Sequence, residues 1–175
     1  MTDWKNITIK ALAELVSARL KENGIDAVLV GGACVSIYSH NKYESADLDY
    51  ISNAELKDLE RVMEGLGFSK KSGRHFERED CPLFVEFPAP PVAIGREMPI
   101  TEFNHIKSVA LLTATDCVKD RLAAYYHWND PQSLDQALMV AKAQKVDISK
   151  IKKWSDKEGA SEKFKRFEIL FNKGK

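Results

Sequence analysis

Apolar residues at 9, 12, 15, 16 and 20 within TIKALAELVSARLKEN (8–23) follow helical spacing, and Asn23-Gly24 supplies a stop. Ile25 to Val30 is a continuous apolar run that predicts a strand ending at Gly31-Gly32. A short helix is expected over 33–39, a polar loop over HNKYES, and a second strand over 46–51. Leu56, Leu59, Val62, Met63 and Leu66 share one helical face, with Ser52 or Asn53 expected as its cap. Residues 68–77 predict an irregular strand and hairpin, and PLFVEFPAPP a strand closed by its prolines. Residues 100–113 are expected to form a short strand or loop before a helix capped by Thr115 or Asp116. Asn129-Asp130-Pro131 marks a turn, and further amphipathic helices follow, with Trp154, Phe164, Phe167 and Leu170 available to pack. The pattern predicts an α+β fold: a strand-bearing core over 1–112 and a helical region over 113–175 packed on it.

Chemistry concentrates in VLVGGACVSIYSHNKYESADLDYI (28–51). On a strand, residues two apart point the same way, so Asp47 and Asp49 project side by side. Neighbouring carboxylates repel unless a cation lies between them, and a hard divalent ion such as Mg²⁺ satisfies both. Glycines between a strand and a helix let backbone N–H groups approach a phosphate, which the helix N-terminus also favours. Glu86, an acid centred in an apolar strand, is a candidate third ligand or a base for an acceptor hydroxyl. On the helix after residue 114, Lys119, Leu122 and Tyr126 share one face, and Arg121, Tyr125 and Trp128 another. Lys119 or Arg121 could neutralise a phosphate. Arg74 and Arg78 could reach one, but as turn residues they suit a structural role better.

A Gly-Gly turn, a helix and then Ser-x-Asp-x-Asp on a strand resembles the signature of the polymerase-β-like nucleotidyltransferase superfamily. GGACVS with ESADLDY is similar in particular to AbiEii-type toxin nucleotidyltransferases. The resemblance covers roughly residues 25 to 140 and implies a nucleotidyltransferase-like mixed sheet flanked by helices. It implies that Gly31, Gly32 and Ser36 hold the phosphates of an NTP, that Asp47 and Asp49 bind Mg²⁺, and that Glu86 completes the metal set. Ser45 stands where these members have Thr or Ser, and Lys119 matches in character a lysine that reaches nucleotide phosphates. The implied activity is NMP transfer to an acceptor hydroxyl on an RNA end (tRNA among them) or a protein, with an antitoxin as possible partner. These members commonly carry Arg where this chain has Tyr43. The departure favours an alternative, a catalytically inactive regulatory or RNA-binding module on the same fold.

The composition fits a soluble globular chain of 175 residues, 44% hydrophobic and 30% charged, without an apolar run of membrane-spanning length. MTDWKNITIK has no apolar signal core, so a cytoplasmic location is expected. Three scattered cysteines fit buried thiols better than disulfides, and four dispersed histidines have no zinc-ligand spacing. Net charge is zero, yet residues 142–175 carry 11 Lys or Arg against 5 Asp or Glu. That excess could guide a polyanion, although a solvated surface of Lys-rich helices explains it better.

Overall fold

The computed structural model describes residues 2–173. Among them a seven-stranded mixed sheet and seven α-helices form an α+β fold. After a 3₁₀ turn at Trp4–Asn6, α1 (Ile9–Glu22) starts where Thr8 Oγ1 accepts from Ala11 N. Next come β1 (Val28–Val30), α2 (Gly31–Tyr38), β2 (Asp47–Ile51) and α3 (Leu56–Gly65). The hairpin β3 (Ser69–Ser72) and β4 (His75–Glu77) leads into β5 (Phe84–Glu86).

A second hairpin, β6 (Phe103–Ile106) and β7 (Val109–Leu112), replaces the single strand or loop expected over 100–113. Its second strand pairs in parallel with β1, with Leu29 opposite Leu111. The sheet order is β3-β4-β5-β2-β1-β7-β6. All the strands precede residue 113, and α4 (Ala114–Trp128), α5 (Pro131–Ala143), α6 (Ile148–Lys157) and α7 (Ser161–Asn172) follow.

Two helix caps differ from expectation. Thr113, not Thr115 or Asp116, caps α4, its Oγ1 accepting from Asp116 N at 3.1 Å. Asp116 is inside the first turn, where its carboxylate accepts from the Thr113 hydroxyl. Glu55 precedes α3 without a side-chain cap, because the Ser52 hydroxyl is spent on Asp26 O and Ala54 N. Asp130 caps α5 as its position before Pro131 suggests.

One face of the sheet is apolar. Leu29, Leu48, Tyr50, Phe76 and Val85 are buried, and the Tyr50 hydroxyl donates to Ala13 O of α1. The strand pleat therefore sends Asp47 and Asp49 to the opposite face, where β2 is only half-buried. Trp154, Phe164 and Phe167 of α6 and α7 are core residues.

Candidate metal and phosphate site

Strand register assembles the carboxylates. β2 and β5 run parallel with Asp49 opposite Glu86, and β4 runs antiparallel to β5 with His75 opposite Glu86. β1 places Val30 opposite Asp49 on the other side. Paired residues share a face, so Asp49, Glu86 and His75 form a row across three neighbouring strands, with Asp47 two residues along β2. Oxygens of Asp47, Asp49 and Glu86 all lie within 4.8 Å of one another.

The phosphate-type turn closes over this row. Gly31 has φ +69°, and a Cβ there would lie 2.9 Å from Asp49 Oδ2. A side chain at Gly32 would meet Ser45 Oγ at 2.7 Å and the Tyr43 ring at 3.4 Å. Only glycine allows both the left-handed backbone and the close approach at residue 31. Val30 gives α2 no side-chain cap, and no acid stands in its first turn.

Each remaining side chain has an identifiable task. The Ser45 hydroxyl donates to Asp47 Oδ1 at 2.7 Å and so orients the first carboxylate. His75 Nδ1 lies 2.6 Å from Glu86 Oε1, and its Nε2 lies 2.8 Å from Glu77 Oε1. Those two hydrogen bonds raise the His75 pKa above its ordinary value. The Asp49 carboxyl is pushed up to about 6, first by burial and then by the charges of Asp47 and Glu86, with Arg121 pulling it down. A carboxylate crowded in this way gains from a cation.

Two expectations for individual residues change, those for Ser36 and Lys119, while Arg121 keeps its place near the carboxylates. Ser36 is fully buried; its hydroxyl donates to Gly32 O at 3.3 Å and accepts from Ser45 N at 3.0 Å. It ties the loop to α2 and has no surface left for a phosphate. Lys119 is also buried, at 1% exposure, with Nζ 2.8 Å from Glu97 and 3.0 Å from Asp116. Its ion pairs lie with those acids and not with the three carboxylates. Arg121, two residues on and therefore on another face of α4, is the cation whose charge reaches Asp49. It forks onto Asp120 Oδ2 at 2.6 Å and donates to Gln136 at 3.3 Å.

The chain matches no protein-family model and no curated protein. Its functional reading therefore rests on the site itself.

His75 escaped sequence reasoning, although it alternates with Glu77 around the buried Phe76 of β4. What joins it to Glu86 is strand pairing, which no local pattern displays. Arg78 is structural, donating to Leu66 O at 2.8 Å and lying 4.2 Å from the Trp4 ring centre. No helix among the described residues is long and apolar enough to cross a membrane.

Proposed function

We propose that the chain is a Mg²⁺-dependent nucleotidyltransferase that moves NMP from an NTP to an acceptor hydroxyl and releases pyrophosphate. The observation that carries the proposal is the set of three carboxylates on β2 and β5, facing the uncapped Gly31-Gly32 start of α2. The donor set fits a hard divalent cation: three carboxylates, one of them raised by burial and then by its neighbours' charge. Asp47, Asp49 and Glu86 would hold the ion. Once bound it would supply Lewis-acid stabilisation of the charge that develops on the phosphoryl oxygens.

The protein's own groups divide the rest of the work. The N–H groups at Gly31 and Gly32 receive phosphate oxygens, and Arg121 offsets their charge at the carboxylate face. Ser45 fixes Asp47 and His75 fixes Glu86, so both ligands are oriented before substrate arrives. In the reaction an acceptor oxygen forms a bond to the α-phosphorus while the bond to the pyrophosphate oxygen breaks. The hydroxyl proton passes to a carboxylate, for which Glu86 is the candidate base.

The acceptor classes are an RNA end such as tRNA, or a protein side chain. A cytoplasmic location and a partner antitoxin belong to the same proposal. Each of the four α-labelled NTPs, incubated with Mg²⁺ and total cellular RNA plus protein, tests it. Label transferred by the parental chain and not by Asp47→Ala/Asp49→Ala would support the reading and identify the acceptor class. Equal transfer by that variant would remove the carboxylates from the chemistry. Binding of NTP with no transfer to any acceptor would favour the regulatory module, in which Tyr43 packs beside Gly32 in place of an arginine.

A further inference from the structure

A cavity of about 380 Å³, apart from the carboxylate site, lies between α4, α6 and the 94–97 segment. That volume is within the usual range for small-ligand sites. Five cations line it, Arg96, Lys119, Lys150, Lys153 and Lys157, against two carboxylates, Glu97 and Glu158. Helical spacing explains the concentration: positions 150, 153, 154 and 157 of α6 fall on one face. None of the carboxylates of the metal and phosphate site contributes.

The charges are not neutralised internally. Glu97 and Asp116 hold Lys119. Lys150 lies 3.6 Å from the exposed Glu102, a loose pair. Glu158 is occupied, accepting from the Arg96 backbone N–H at 2.7 Å and lying 3.1 Å from His127 Nε2. The side chains of Arg96, Lys153 and Lys157 have no carboxylate partner among the described residues.

Trp154 supplies the cavity's aromatic wall. It lines the cavity at 4% exposure, and its Nε1–H is buried with no acceptor among the described residues. An indole N–H is a donor only, and a buried donor without a partner is costly in a native fold. The unpaired cations call for an acceptor-rich anion. A phosphate monoester, with close to two charges and three strong acceptor oxygens, matches better than a single carboxylate.

We propose that this cavity binds a small phosphorylated ligand, its phosphate held by Arg96, Lys153 and Lys157 beside the Trp154 indole. The proposal stands independently of the reading of the carboxylate site. A concavity of this volume beside an indole ring favours a small molecule over a nucleic-acid strand.

The test follows the Trp154 indole N–H resonance of the full chain, assigned with Trp4→Phe and Trp128→Phe. AMP, inorganic phosphate and a 5′-hydroxyl RNA oligonucleotide are titrated separately without divalent metal. A saturable shift with AMP or phosphate is expected, weakened about tenfold in Lys153→Gln/Lys157→Gln, whose lost side chains are exposed and supply charge-assisted contacts. The shift should persist in Asp47→Asn/Asp49→Asn. Absence of a saturable shift, an unchanged affinity in the lysine variant, loss in the aspartate variant, or a response to RNA alone would each overturn the proposal.

Discussion

Asp49→Asn should stabilise the metal-free protein at neutral pH. The Asp49 carboxyl stands at about 6 in the fold against an ordinary 3.8. The folded chain thus holds the proton more tightly than the unfolded one. That contribution to stability is complete below about pH 4 and is lost as pH rises through about 6. At about 1.36 kcal/mol per pH unit the difference approaches ~3 kcal/mol. Solvent and counterions at a half-buried site reduce it to about 1–2 kcal/mol.

Asparagine has nearly the same shape, carries no charge, and removes no side-chain hydrogen bond that Asp49 makes among the described residues. The melting temperature of the variant should therefore exceed the parent's by about 2–8 °C at pH 7.5, where a chain of this size gains roughly 2–4 °C per kcal/mol. The two should converge at pH 4. Added Mg²⁺ or Mn²⁺ should raise the parent's melting temperature and leave the variant's nearly unchanged, since ligand binding stabilises only the state that binds. Scanning fluorimetry or calorimetry across pH, with and without metal, reads all of this. A variant less stable than the parent at pH 7.5 would refute the reasoning, because Asp49 would then be satisfied without a cation.

Three further outcomes follow. Gly31→Ala should cost about 1–2 kcal/mol in urea unfolding through its left-handed φ, besides the contact its Cβ makes with Asp49; parental stability would show that the turn relaxes freely. His75→Gln should weaken divalent-metal affinity about tenfold, as loss of an outer-shell partner does; calorimetric titration giving an unchanged affinity would detach His75 from the site. Arg121→Ala should move the Asp49 titration midpoint above about 6, because that charge holds it down; a carbon-detected NMR titration showing a lower midpoint would contradict the placement of Arg121.

The legible part of the sequence was the part written in local periodicity. Alternation around Asp47, Leu48 and Asp49 placed both acids on one face, and the same alternation set Glu86 opposite Val85 and Phe87. The hairpin β6–β7 was less legible because the partner of β7 is β1, some eighty positions earlier in the chain. Lys119 and Arg121 illustrate a different difficulty. Periodicity put them on separate faces of α4 but not which face meets the carboxylates. Its companions Leu122 and Tyr126 carry Lys119 inward, where Glu97 and Asp116 make burial of an ammonium tolerable. Ser36 resembled a phosphate ligand by position, and its burial against Ser45 N depends on the return of the 39–45 loop.

The row of Asp49, Glu86 and His75 has a bearing on how this chain can vary. Substitutions at neighbouring positions change the lettering of the site, but one residue inserted within β5 would exchange its faces. Val85 would turn towards the carboxylates and Glu86 into the core beneath α1. An insertion of the same size in the 78–83 connection could be taken up by the loop while Glu86 stays level with Asp49. Among sequences descended from this one, length should therefore be conserved along β2 and β5 more strictly than identity, with insertions and deletions confined to the turns between strands.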